Sequence, residues 1–375
     1  MSEATSDAFL SGQGIPVELS KIEGALADLW GPAAEREGGP DLENPAVTRV
    51  TLANLVVVDV GEKSTRTEDE LDTVVARYPC RAIVVVRDGS LDRKVAAEVS
   101  AICHLPAPGL PQVCSERILL RAGASGFDLV PGAIRSLLEA DLPVIVWWIG
   151  DPRDALPLFR ELAAEASRVV LDLPDPEADL LAIHQALDLV ACPFGRDLSW
   201  FGITRWRELT AQFFDPIGSE ACLQNVSSVT IVAETSAVGS LPRVAAWLAA
   251  WLAGQLGWVS KTLAHESSTK TVATFLDARQ KEITVNLWSE MHDHASPAHL
   301  ASVSLTAGDT TFRIARVDQQ IAVEVDDRGS PRLPRMVHAT EFSIPDRVSA
   351  ALESAREDPP YRRALPHLIW LMGGS

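Results

Sequence analysis

The chain has no Cys-x-x-Cys motif, and none of its five cysteines (Cys80, Cys103, Cys114, Cys192, Cys222) pair at zinc-ligand spacing. The N-terminal MSEATSDAFL has neither a basic region nor a long apolar run, so no secretory leader is expected. An odd cysteine count without a leader predicts reduced thiols, most of them small buried hydrophobes. Basic residues are also in short supply. With 33 Lys and Arg against 51 Asp and Glu, the net charge of −18 opposes nonspecific binding to nucleic acid or an anionic membrane. A cytoplasmic protein is expected. The longest apolar stretch, residues 241–259 (LPRVAAWLAAWLAGQLGWV), is broken by Arg243 and Gln255. Its stripe of Val244, Trp247, Leu248, Trp251 and Leu252 reads as a buried helix ending at Gly257, not a membrane span.

Phosphate-binding and nucleophile motifs are missing too. Gly12-Gln13-Gly14 lacks a third glycine and follows no strand. Gly123-Ala124-Ser125-Gly126 lacks the spacing of a nucleophile elbow. His292 and His294, with His299 nearby, could share a face of an extended segment, but their Ser, Pro and Ala neighbours suggest a solvated loop. Asp151 and Arg153 follow an apolar strand directly, where an open parallel sheet can form a pocket, although Asp154 equally suits a helix cap. We therefore expect no catalytic residue, no cofactor and no metal.

What is present is a chain of alternating elements. Residues 1–45 read as a mobile arm with one docking helix around Ile22, Leu26, Leu29 and Trp30. Apolar strands are expected at 50–60 (VTLANLVVVDV), 81–86 (RAIVVV), 143–150 (PVIVWWIG), 168–173 and 229–233. Helices are expected after the capping box Thr67-Glu68-Asp69-Glu70, from Asp92 with Val95, Val99 and Ile102 inward, from Pro131, over 154–164, and after Asp175-Pro176. Residues 113–122, with Glu116, Arg117 and Arg121, read as an edge strand with one wet face. Beyond Lys270, short alternating runs predict antiparallel strands, with a hairpin at Asp318-Gln319, and terminal helices near 337–356 and 361–372. The fold class is α/β: a mainly parallel sheet with helices on both faces, followed by a smaller α+β region with antiparallel strands. Domain limits are expected at 1–45, 46–165 and 166–375, with the last domain turning antiparallel after about 265.

Residues 196–216 (RDLSWFGITRWRELTAQFFDP) stand out, because they gather Trp200, Phe201, Trp206, Phe213 and Phe214 in a chain that is only 6% aromatic. A helix is predicted over 205–214, with Thr204 as N-cap and Asp215-Pro216 as the stop. Trp206, Leu209 and Phe213 share its apolar face, and Arg205, Glu208 and Gln212 share the opposite one. Two arginines in the first turn oppose the helix dipole, which suggests that they are kept for contact.

This stretch, together with 43–55 (ENPAVTRVTLANL), 78–85 (YPCRAIVV), 142–148 (LPVIVWW), 167–172 (SRVVLD) and 247–258 (WLAAWLAGQLGW), resembles the glucose-6-phosphate dehydrogenase assembly protein OpcA family. Thr204 stands where a proline-like starter would be expected of that family. The resemblance spans residues 43 to 260 and rests on order and length alone after Lys270. It implies a non-enzymatic protein that binds glucose-6-phosphate dehydrogenase and favours its active oligomer, in the oxidative pentose phosphate pathway. Trp200, Arg205, Trp206, Arg207 and Glu208 would then either touch the dehydrogenase or hold the surface that does. Some family members are tied to redox control, which makes Cys80, inside the family-like PCR segment, the redox candidate. Two other readings stay open: a nucleotide or sugar-phosphate sensing domain, and an enzyme with a pocket near Asp151 and Arg153.

Overall fold

A computed structural model describes residues 10–34, 47–61, 68–91, 95–107, 110–123, 125–173, 195–215, 220–235, 241–291, 298–318, 320–327, 329–331, 333–338, 343–354 and 357–373. The chain divides into two compact units, each built on its own sheet.

The first unit begins with β1 (Ile15–Val17), α1 (Ile22–Ala34), β2 (Val47–Arg49) and β3 (Asn54–Asp59). It continues through α2 (Glu68–Arg77), β4 (Arg81–Arg87), β5 (Val95–His104), β6 (Gln112–Ala122) and α3 (Val130–Leu137). It closes with β7 (Val144–Ile149), α4 (Leu156–Glu165), β8 (Arg168–Asp172) and β9 (Gly195–Asp197). The strand order is β1-β5-β6-β4-β3-β7-β8-β9, with β2 also pairing β6. From β6 to β9 every pair is parallel, while β5 joins β6, and β1 joins β5, antiparallel. The sheet is therefore mixed. Counted from β3, its parallel part has the order 3-2-1-4-5-6 of a doubly wound dinucleotide fold. β3 is buried at every position, as an apolar strand covered on both faces must be.

Two expectations fail here. The helix predicted from Asp92 is instead β5, with Ala97, Val99 and Ala101 buried. Alanines and the Val95-Val99-Ile102 spacing suit a helix, but pairing along the whole of β6 outweighs that local preference. The strand at 113–122 is no edge: β6 lies between β5 and β4. Its charged residues are tolerated because they are paired. Glu116, 1% exposed, accepts from Arg81 Nε at 2.7 Å and Trp30 Nε1 at 2.6 Å, and pairs Arg49 at 2.9 Å. Arg81, 3% exposed, also reaches Glu23 at 2.7 Å and Glu139 at 3.0 Å. Burial works against the charged Arg81, but Glu116, Glu23 and Glu139 outweigh it and hold its pKa above the ordinary arginine value. This network, with buried Ile22, Leu26 and Leu29, docks α1 on the first sheet. The arm of the sequence reading is thus ordered over residues 10–34, where β1 extends the sheet.

The second unit carries α5 (Leu198–Gly202), α6 (Thr204–Gln212), α7 (Glu220–Leu223), β10 (Val226–Thr235), α8 (Arg243–Leu256), β11 (Val259–Ser267) and β12 (Lys270–Leu276). Next come β13 (Glu282–Met291), β14 (His299–Ala307), β15 (Thr310–Val317), β16 (Gln320–Asp327), β17 (Ser330–Pro331) and β18 (Arg335–His338). Helix α9 (Ile344–Glu353) belongs to the first unit, and α10 (Pro359–Gly373) returns to the second. The second sheet runs β11-β12-β13-β10-β14-β15-β16, with β17 and β18 on β16. All its pairs are antiparallel except β10 with β13. The run at 229–233, expected in the parallel sheet, lies within β10 at the centre of this second one. The Asp318 hairpin forms as expected, with Asp318 at φ 54°. The Trp-rich helix is α8, buried through Trp247 and capped by left-handed Gly257 at φ 67°. Gly254 lets α10 approach it, since a Cβ there would sit 2.7 Å from the Arg363 backbone.

Candidate functional site

The aromatic segment supplies α5 and α6. Trp200 is 1% exposed and meets Trp247 edge-on at 5.1 Å and Tyr361 at 5.4 Å. Its Nε1 donates to Asp358 Oδ2 at 2.9 Å, and Asp358 Oδ1 accepts the Tyr361 backbone N–H at 2.9 Å. The Arg207 guanidinium lies 3.7 Å above the Trp200 ring, and its Nη2 donates to Thr204 Oγ1 at 3.0 Å. Burial pushes the Arg207 pKa down to about 10, against the pull of Asp358 and Glu208. One indole thus ties α5, α6, α8 and α10 together.

Helix α6 starts one residue earlier than predicted. Its N-cap is Ile203, with no side-chain cap, because Thr204 is inside the helix with its hydroxyl serving Arg207. Trp206, Leu209 and Phe213 are buried on one face, as their spacing required. Arg205 and Glu208 pair at 3.2 Å on the other face, and Gln212 accepts from Arg335 at 2.7 Å. Of the five residues singled out from the sequence, Trp200 and Trp206 are internal, Arg207 is partly buried against Trp200, and Arg205 and Glu208 reach the surface. A groove of about 350 Å³ has Leu209, Gln212, Phe213, Phe312, Val323 and Val325 in its lining, with half-buried Cys222. Leu333, on its rim, is 95% exposed. The groove is not legible in the sequence, because its residues are drawn from five separate segments.

A second concavity, of about 280 Å³, lies in the first unit over the carboxyl ends of β3, β4, β6 and β7. Register places its residues in two cross-strand rows, Leu119-Val84-Val57-Trp147 and Arg121-Val86-Asp59-Ile149. Gly61, Glu68, Leu71 and Arg87 complete the lining. Asp59 is buried and accepts from the Gly61 N–H at 3.0 Å. Asp151 and Arg153 are not in this lining. They close on each other, with Arg153 Nη2 at 2.6 Å from Asp151 Oδ2, and Asp151 caps the short helical turn Pro152–Ala155.

Cys80 is fully buried, and burial pushes its pKa up to about 12, the environment of an unreactive thiol. Cys103 and Cys114, cross-strand neighbours in β5 and β6, form a disulfide, so not all thiols are reduced. The sequence gave no hint of that pair because β5 was read as a helix. His292 and His294 lie outside the described residues, and among those described no group of metal-ligating side chains assembles. No described helix is long and apolar enough to cross a membrane.

Comparison with known proteins joins these observations. The N-terminal domain profile of a glucose-6-phosphate dehydrogenase subunit family matches residues 71–185, and its C-terminal domain profile matches 194–365. A putative OxPP cycle protein OpcA from Nostoc punctiforme is 30% identical over 222 residues, covering 58% of this chain and 46% of that protein. Its namesake from Synechocystis is 30% identical over 200 residues, covering 52% and 41%. The chain spans less than half the length of these relatives. Among solved structures, KijD10, a 3-ketoreductase from Actinomadura kijaniata in complex with TDP-benzene and NADP, aligns with a TM-score of 0.50 at 11% identity. That alignment covers 85% of this chain and 96% of that one, a likeness of fold alone. Two domain profiles matched in sequence, over the Trp-Arg segment and both sheets, place the chain in the OpcA family of glucose-6-phosphate dehydrogenase subunit proteins.

Proposed function

We propose that the chain is a non-catalytic partner of glucose-6-phosphate dehydrogenase that favours the enzyme's active oligomer in the cytoplasm. The match to both family domains carries this reading. The aromatic segment fits it as architecture. Trp200, Trp206 and Arg207 hold the second unit's helices, Arg205 and Glu208 pair on the face of α6 opposite Trp206, and Gln212 of that same face lines a groove whose exposed Leu333 offers an apolar anchor. The dehydrogenase docks there, and Arg205 and Glu208 exchange their mutual pairing for contacts with it.

Activation is then a population shift, limited by the difference in affinity between the enzyme's inactive and active forms. Linkage requires the converse: glucose 6-phosphate or NADP that selects the same form of the enzyme raises its affinity for this chain. The test is the activity of the cognate dehydrogenase with and without the chain, beside size-exclusion chromatography of the mixture. Co-elution with raised activity is expected. Separate elution with unchanged activity contradicts the reading.

A further inference from the structure

Strand alternation divides the side chains of the second sheet between two sides. One side is closed. Val229, Ile231, Val285 and Leu287 are buried on it, Phe275 meets Trp370 of α10 at 5.3 Å, and Phe312 meets Phe213 at the end of α6 at 5.1 Å. The other side is open. Register lays it out in three cross-strand rows over the central strands β12, β13, β10 and β14. The first row is Lys270-Trp288-Val232-Ser302, the second Val272-Asn286-Thr230-Ser304 and the third Thr274-Thr284-Ser228-Thr306. Trp288 is 41% exposed, and the others are half-buried.

Three rows across four strands make twelve positions, and only Lys270, at one corner, is charged; it pairs with Glu266 at 2.6 Å. In a chain of net charge −18 with 22% charged residues, an open face would ordinarily carry several charges of both signs. One strand further out, Arg313 and Glu324 are cross-strand neighbours of opposite sign. This lack of charge selects the occupant. An unlike partner would meet an acidic chain with basic side chains, and these rows offer them no carboxylate. A second copy is itself strongly acidic, so it approaches best where neither copy presents charge. Hydroxyls fit the same occupant. Seven of the twelve residues are Ser or Thr, whose side chains both donate and accept, so the face complements itself as a two-fold interface requires. The size also suffices. With β11, β15 and β16 included, strands about 4.8 Å apart and rows about 6.8 Å apart span roughly 700 Å². A specific complex buries about 800 Å² per partner.

We propose that the chain pairs with a second copy of itself, open sheet face against open sheet face. The two-fold axis passes over Thr230, in the middle row of the middle strand, and Trp288 is the apolar anchor. Phe312 and Val323 line the groove from the closed side, so pairing leaves the groove free. The test is sedimentation equilibrium of the full chain alone. A particle of twice 40.5 kDa is expected at micromolar concentration. Added salt should tighten the pairing, because it screens the repulsion between two acidic chains. Thr230→Glu sets two carboxylates against each other and should weaken pairing at least about a hundredfold, with an unchanged circular dichroism spectrum. Trp288→Ala, at an exposed position, should weaken it by about tenfold or more. Arg205→Ala serves as the control and leaves it unchanged. A wild-type chain that stays at 40.5 kDa up to about 100 µM overturns the proposal. So does pairing that salt loosens, or that both Thr230→Glu and Trp288→Ala leave intact. No dehydrogenase is present in these measurements, so their failure is distinct from failure of the docking reading.

Discussion

Both units bury aromatic rings, Trp147, Trp148 and Phe159 among them in the first, but they differ in buried charge. The first encloses charge: Asp59, Arg81, Glu116, Arg117, Asp172, Arg196 and Asp197 are all buried within it. The second encloses aromatic rings, with Trp200, Trp206, Trp247, Trp258, Phe275 and Tyr361 buried, and Arg243 as its buried cation among the described residues. A buried charge network is costly to break, because removing one member strands the others away from water. A buried ring cluster is costly to truncate, because the space left cannot collapse fully. The first design fixes register and pins the N-terminal helix. The second makes a rigid helical support for a surface.

Substitutions can break this comparison. Trp200→Ala should cost about 3–5 kcal/mol in denaturant unfolding, through the cavity left between Trp247 and Tyr361 and the loss of the Asp358 hydrogen bond. Glu116→Ala should cost a similar ~3–5 kcal/mol by removing the buried carboxylate that Arg81 Nε, Arg49 and Trp30 Nε1 share, while Glu208→Ala, itself exposed, should stay within about 0.5 kcal/mol. If Glu116→Ala proved as harmless as Glu208→Ala, the charge network would not support the first unit. Next in size is binding. Arg205→Ala combined with Glu208→Ala should lower affinity for the dehydrogenase by about 2 kcal/mol without shifting the unfolding midpoint. Unchanged affinity would move the docking surface elsewhere.

Thiol chemistry sharpens the contrast at lower cost. In native protein at mildly alkaline pH, a thiol reagent should label Cys222 in the second unit's groove and leave Cys80 untouched until unfolding. Rapid labelling of Cys80 in native protein would instead favour it as the redox cysteine. The smallest effect is on pH. The Cys80 pKa is raised from 9.0 to about 12, so above pH 9 the unfolded chain gives up that proton while the folded chain keeps it. Fewer protons on the unfolded state mean that stability falls as pH rises from about 9 to 12. Cys80→Ala should flatten that part of the profile, measured by thermal unfolding.

The same contrast explains what could be read from the residues. Tryptophans are rare and spaced, so the stripes of α6 and α8 announced their buried faces. The apolar runs of β3, β4 and β7 likewise announced strands covered on both sides. Charge is common in this acidic chain, so nothing marked Glu116 and Arg81 as interior. Pairing is non-local, which is why β5 was misread as a helix and the Cys103–Cys114 bridge went unseen. The groove under Leu333 was invisible for the same reason. Trp200 and Trp206 were found by composition, but only packing showed that both are internal.

The proposed grip of this chain on a dehydrogenase, through the second unit, is open to a direct test. Its most direct measurement is the activity of the cognate glucose-6-phosphate dehydrogenase titrated with wild-type chain and with the Arg205→Ala, Glu208→Ala double variant. The account predicts saturable activation by the wild type, displaced to higher concentration for the variant. A dehydrogenase equally active at every concentration of either protein would contradict it.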